Sequence, residues 1–246
     1  MFVHYRTQGL ILAKEDRGEA DRIFTIYTKD FGRLEILGKA IRKITSKLRA
    51  GADIFYLSEI EFIQGKAHKT LTDAILIDKF ENIKRDPSRL RVAYKISEVF
   101  NDLVKNQEPD EKIWQLLTET FNRLNAGFKF QVSGFEIYKI YYYFFWNFLS
   151  YLGYQPELYN CSICDKKLSP DTTYFYPKIG GAVCKNCIKN NKNKIKEISI
   201  DAVKILRIIL ERDWAFFNKV KINQQLQKEL STISEYYFSY LKESTS

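Results

Sequence analysis

Residues 8–43 read QGLILAKEDRGEADRIFTIYTKDFGRLEILGKAIRK, and the fold is decided here. β-branched and aromatic runs at Thr7 to Lys14, Arg22 to Tyr27 and Arg33 to Gly38 are separated by turn residues, the pattern of short strands in an all-β unit. Lys29-Asp30-Phe31-Gly32 supplies a hairpin turn with Gly free to take positive φ. Two further runs follow, Ile54 to Ile63 and Thr70 to Lys79. In the former, Glu59-Ile60-Glu61-Phe62 alternates strictly, so one face is wet and the other packs inward. Five short strands with one long loop fit a five-stranded barrel of the OB type or an SH3-like barrel, and periodicity leaves both open.

Helical spacing takes over after Phe80. Asp86-Pro87 forms an N-cap and first-turn pair, followed by Leu90, Ala93, Ile96, Phe100, Leu103 and Val104 at three- and four-residue intervals. A second helix opens at Pro109-Asp110-Glu111 and stops at Gly127. A third runs from Val132 to Leu152 with Gly153 as its C-terminal cap. Apolar nearly all round, this third helix is the expected centre of a bundle. Its run Tyr141 to Trp146 offers either core packing, the better fit, or a stacking platform for bases. Ile200 to Trp214 and Leu226 to Leu241 are expected to complete that bundle. The expected architecture is α+β and multidomain: an OB-like barrel over 1–80, a helical domain over 81–157 and 199–246, and an inserted module over 158–198.

That insertion holds every cysteine. Cys161-x2-Cys164 and Cys184-x2-Cys187 lie 19 residues apart, the spacing of a four-thiolate zinc site. Two sulfurs of one tight turn can face a single ion at about 2.3 Å, and two turns complete a tetrahedron. Such a site has no open position to activate water, so one structural Zn²⁺ is expected rather than a catalytic one. Two matched pairs in one short island also favour metal over dithiol exchange. Gly180-Gly181 reads as the turn returning the second pair to the first. Lys166, Lys167 and Lys185 stand beside the cysteines, to offset thiolate charge or to meet phosphate, and KNNKNKIK at 189–196 reads as a solvated loop.

The chain of 246 residues carries a formal charge of +9 with a pI near 9.2, which calls for a polyanionic partner. The excess is local. Segments 1–80, 81–157, 158–198 and 199–246 hold +3, 0, +5 and +1, and one Zn²⁺ on four thiolates would trim the total to about +7. In the first segment it is focused on Lys39, Arg42, Lys43, Lys47 and Arg49, with no acid from Gly38 to Ala52. Ile41, Ile44 and Leu48 fall at helical spacing among them, so a short amphipathic helix or ordered loop is expected, apolar side down and basic side up. Such a surface follows a phosphate backbone without reading bases. Tyr5, Phe31, Phe55 and Tyr56 are candidates for base stacking or for barrel core.

Several chemistries are excluded. His4 and His68 are the only histidines, and neither precedes x-Glu as a nucleobase deaminase requires. No GxxxxGK[ST], GxGxxG or GxSxG occurs. The start interleaves acids and bases with no apolar run of signal length, and the longest uncharged run, Ile140 to Pro156, is 17 residues with five tyrosines, short of a membrane span. A reducing cytoplasm is the expected compartment.

QGLILAKEDRGEADRIFTIYTKDFGRLEILGKAIRK, GYQPELYNCSICDKKL, FYPKIGGAVCKNC and ELSTISEYYFSYLKES, in this order and spacing, resemble the RecO recombination mediators of bacteria over essentially the whole length. The resemblance implies an N-terminal OB fold, a helical domain and a zinc module, and a protein that is not an enzyme. It further implies a nucleoid-associated protein of DNA repair and recombination that binds single- and double-stranded DNA and anneals complementary strands. Its implied partners are RecR, single-strand-binding protein and, indirectly, RecA. Some members of that family lack a complete cysteine set, whereas all four are present here. A rival from another class is a zinc-containing protein-interaction scaffold whose basic charge is incidental.

Overall fold

The computed structural model describes residues 3–65, 68–105, 108–126, 134–168, 173–188 and 195–245. Five strands, β1 (His4–Arg17), β2 (Asp21–Thr28), β3 (Gly32–Gly38), β4 (Leu57–Gln64) and β5 (Lys69–Asp78), form a closed barrel in the order β1-β2-β3-β5-β4. β1 is long enough to pair with β4 through its first half and β2 through its second, bending at an irregularity between Ile11 and Ala13. β3 closes on β5 in parallel, at Ile36 with Lys69 and Leu37 with Thr70. This Greek-key closure is that of the OB barrel, which resolves the choice periodicity left open. Inward side chains of every strand, among them Ile11, Phe24, Ile26, Leu34, Ile36, Ile60, Phe62 and Leu71, fill the interior.

One strand start differs from expectation. β4 begins at Leu57, and Phe55 takes a left-handed conformation with φ +62. Residues 54–56 instead form a turn against the bend of β1, with Phe55 N–H donating to Ile11 O at 2.8 Å and Ile11 N–H to Tyr56 O at 3.0 Å. The left-handed turn drives the Phe55 ring fully inward.

By contacts the chain forms two compact units, 1–129 and 130–246, whose boundary differs from the compositional shifts. In the first, α1 (Glu81–Arg85), α2 (Pro87–Leu103) and α3 (Glu111–Asn125) pack on the barrel. Phe55 and Phe80 both meet Phe121 at 5.6 Å, Tyr27 meets Phe100 at 4.9 Å, and Ser97 Oγ donates to Leu12 O at 2.9 Å. Asp86 and Asp110 cap α2 and α3, each carboxylate accepting from two backbone N–H groups. Gly127, the expected stop of α3, lies outside the described residues.

The second unit is built on α4 (Gly134–Tyr151), followed by α5 (Ile200–Leu210), α6 (Trp214–Lys219) and α7 (Gln224–Thr245). Tyr141 to Trp146 are all buried, so this aromatic run is core and not a stacking platform. Trp146 stacks on Tyr237 of α7 at 5.7 Å and donates to Ser234 Oγ at 3.1 Å. Gly153 ends the α4 segment at φ +87. The expected single helix from Ile200 to Trp214 is two: Arg212 at φ +63 breaks it, and Asp213 caps α6 by accepting from Phe216 N–H. No helix of the described residues is long and apolar enough to cross a membrane.

Candidate nucleic-acid interface and metal centre

The five basic residues singled out in sequence sit on the loop between β3 and β4, and all five are exposed. The loop is an irregular turn ending in a short 3₁₀ segment, Lys47–Ala50, rather than an amphipathic helix. Ile41 is buried and Leu48 half-buried against the barrel, but Ile44 is 92% exposed. The expected apolar face therefore holds at two positions of three, because a loop kinked at Ala40, with φ +51, cannot carry helical periodicity through Ile44. Gly51 lies so close to β5 that a Cβ there would fall 1.8 Å from Ala74 O, and Ser58 Oγ donates to Gly51 O at 2.6 Å. The loop is thus fastened at its far end.

Its cations divide into two kinds. Arg42 is held: one guanidinium N–H reaches Gly18 O at 3.0 Å, and its Nε lies 3.4 Å from Asp16. Lys39, Lys43, Lys47 and Arg49 have no carboxylate partner among the described residues. Lys14 of β1 and Arg22 of β2, which sequence reasoning passed over, join Arg42 and Arg49 around a cavity of about 310 Å³ floored by Ile41 and Ala52. A signal existed, since Asp16 stands opposite Arg22 in the β1–β2 register and binds it at 2.7 Å. That hydrogen bond holds the Asp16 carboxyl below its ordinary range. Asp53 sits between Lys14 at 2.5 Å and Lys84 at 3.2 Å. Burial pushes its carboxyl up, but Lys14, the Ile54 N–H and Lys84 outweigh it and leave it below the usual value.

The stacking candidates separate as well. Phe55 is core, and Tyr56 carries the Lys84 ammonium 3.9 Å over its ring. Tyr5 and Phe31 remain half-buried and, with buried Phe62, line a second cavity of about 390 Å³ with Gln64 and Lys69. Arg17 at the β1–β2 turn meets His68 Nε2 at 3.1 Å, joining that turn to the β4–β5 loop. In OB folds these loops flank the oligonucleotide-binding face.

In the second unit the four sulfurs lie within 4.8 Å of one another, and Cys164 and Cys184 are 3.9 Å apart. A tetrahedron with bonds of 2.3 Å has edges of about 3.8 Å, so the residues fit a closed four-thiolate metal site. Asp165, left-handed at φ +57, turns the first knuckle so that Cys161 N–H donates to Lys166 O at 2.8 Å. The second follows β7 (Gly181–Cys184), paired to β6 (Thr173–Tyr176), which also pairs with β8 (Lys196–Ile198). Burial raises the Cys161 thiol, yet backbone N–H groups of Cys184, Cys164 and Ile163 bring it down to about 6. Hydrogen bonding with Cys164 and Cys184 pushes Cys187 up to about 12. One thiolate is thus stabilised by the backbone, and a cation is what would hold the rest in that form.

Gly180, at φ +68, makes the expected return turn. Gly181 lies against the first knuckle, with Glu157 N–H donating to Gly180 O and Ala182 N–H to Glu157 O. A Cβ at Gly181 would fall 2.4 Å from Ser162 Oγ and 2.6 Å from Glu157 O. Gly181→Ala is therefore expected to cost about 1–3 kcal/mol and to weaken metal retention, measured by thermal unfolding and by competition with a chelator. The module is anchored as well as folded: Phe175 of β6 meets Trp146 and Tyr237, and Arg207 of α5 donates to Leu158 O at 2.5 Å while covering Tyr159. Lys166, Lys167 and Lys185 are exposed, whereas Lys189, Lys192 and Lys194 of the lysine-rich patch lie outside the described residues.

Comparison with known proteins covers the whole chain. The family model described as recombination protein O, N terminal, matches residues 1–80, and the one described as recombination protein O, C terminal, matches residues 84–244. A DNA repair protein RecO of Dehalococcoides mccartyi is 32% identical over 92% of this chain and 86% of its own length. Proteins of the same name from Roseiflexus and Acetivibrio thermocellus are each 28% identical, over 97% and 95% of this chain and 81% and 90% of their own lengths.

Proposed function

Because the chain belongs to the RecO family of DNA repair and recombination proteins, we propose that it is a non-enzymatic mediator that binds single- and double-stranded DNA and anneals complementary strands. With RecR it would help load RecA onto DNA coated by single-strand-binding protein, in the cytoplasm at the nucleoid. One observation carries the DNA reading: Lys39, Lys43, Lys47 and Arg49 are exposed on a single acid-free loop of an OB-type barrel, with no carboxylate partner among the described residues. Each is thus available to replace a counterion on a phosphate, which makes binding electrostatic and steeply salt-dependent. Arg42 belongs with them, although it first has to share Asp16.

Cys161, Cys164, Cys184 and Cys187 would hold one Zn²⁺, whose chemistry there is structural: it cross-links two knuckles and leaves no position for water. The chain's own residues do the rest. Gly181 lets the knuckles close, and Arg207 and Phe175 tie the module to α4, α5 and α7. The three-part division into barrel, helical domain and metal module is likewise a proposal about how the work is divided.

A strand-annealing assay on the purified chain tests this reading against the scaffold alternative. Acceleration of annealing at low salt, falling steeply as salt is raised to about 0.5 M, is the expected result. A chain that neither binds nor anneals oligonucleotides at low salt would leave the scaffold reading in its place.

A further inference from the structure

The cavity at the mouth of the barrel differs in kind from the loop beside it. Lys39, Lys43 and Lys47 lie on open surface, where a strand can pass in either direction. The cavity is concave, about 310 Å³, and walled by four segments: Lys14 from β1, Arg22 from β2, Arg42 from the loop and Arg49 with Asp53 beyond it. Its volume is at the lower end of small-molecule sites, near the size of one nucleotide and too small for a strand to thread. Its floor is apolar, with Ile41 and Ala52 buried beneath the charged rim.

The charges are poorly balanced. Lys14 and Lys84 share Asp53, Arg22 and Arg42 share Asp16, and Arg49 has no carboxylate among the described residues. Two carboxylates thus stand against five cations, three of them guanidinium groups whose donors suit phosphate oxygens. A phosphodiester offers one negative charge and emerges from both sides of any seat it occupies. A terminal phosphate monoester offers close to two at neutral pH, has one chain to accommodate, and can enter a closed-ended cavity.

We propose that this cavity seats the terminal phosphate of a DNA strand, so that the protein distinguishes phosphorylated strand ends from hydroxyl ends. The inference rests on the DNA-binding reading and assigns a substrate feature to it. Lys14 and Arg22 are the residues that separate the two functions, because they line the cavity and are not part of the exposed loop.

The test uses the full zinc-loaded chain and short single-stranded oligonucleotides of one sequence carrying a 5′-phosphate, a 3′-phosphate or only hydroxyl ends, with affinity read by fluorescence anisotropy. One phosphorylated end is expected to bind about tenfold tighter than the hydroxyl-ended strand, the scale of one charge-assisted contact set. The double variant Lys14→Gln/Arg22→Gln should abolish that ratio and keep its affinity for the hydroxyl-ended strand, which also shows that it is folded. Lys39→Gln/Lys43→Gln/Lys47→Gln should weaken every strand and leave the ratio intact. Equal, salt-sensitive binding of all three strands, or a preference that survives the double variant, overturns the end-recognition proposal and leaves the DNA reading standing. No salt-sensitive binding of any strand removes both. Tight binding of a free deoxynucleoside monophosphate with no preference among the strands would overturn the assignment to DNA ends.

Discussion

Replacing Cys161 and Cys184 together by serine is expected to take the chain from about one Zn²⁺ per molecule to less than one-tenth. Each substitution removes a thiolate from a different knuckle, so neither remaining pair can complete four-coordination. The consequence is large because the module has little else to fold around. Its apolar cluster is Cys161, Tyr176 and Val183, with Leu168 and Ile195 at the margin, whereas structural zinc supplies about 10–16 kcal/mol of apparent binding energy in small zinc-binding peptides. The helical core does not depend on that cluster, since α4, α5 and α7 pack through Trp146, Tyr237 and their neighbours. Helical circular dichroism should therefore survive while the second unit unfolds at lower temperature and residues 158–198 become sensitive to protease. Elemental analysis of protein purified under reducing conditions decides the matter. A wild type that is folded and metal-free would refute the zinc assignment.

Reversing Lys39, Lys43 and Lys47 together to glutamate is expected to produce the largest change in binding. For single strands each released counterion contributes about 0.7 to the slope of log affinity against log salt, so three lost contacts flatten the slope by about 2. If affinity at 1 M salt is unchanged, the same loss amounts to about 100-fold at 0.1 M, and the introduced repulsion adds to it. These three are the right choice because none serves the fold through its charge. Arg42, by contrast, holds Gly18 O and Asp16, and its reversal would disturb the β1–β2 turn. Unchanged affinity and slope in the triple variant would remove the loop from the interface.

What could be read in sequence tracks how local each signal is. The strands of the barrel lie within a few residues of expectation because alternation and hairpin turns are neighbour effects, and the cysteine pairs were legible because a two-residue spacer fixes the geometry of its own turn. Ile44 was misjudged since a positive-φ residue at Ala40 cancels the period on which its burial was inferred. The packing of α2 and α3 was not legible either: an apolar stripe says that a helix has a buried face, not that Phe100 will meet Tyr27 of a strand. Lys14 and Arg22 were hidden for the same reason. They reach the cavity only when β1 and β2 are paired and the loop returns 27 residues after Arg22 to place Arg49 beside them.

The parallel seam between β3 and β5 is two residue pairs long, and it joins strands separated by the basic loop and all of β4. Bringing those ends together carries the highest chain-closure entropy of any contact in the barrel, so it belongs among the last events of folding. The loop shortens that search. By fixing Gly51 against Ala74 it fastens β5 where β3 no longer reaches, and an anion drawing Arg49 towards Lys14 and Arg22 would tighten the same fastening. Ligand binding and barrel closure are then coupled equilibria, in which DNA acts on the kinetics of the protein's own opening as well as being acted on by it.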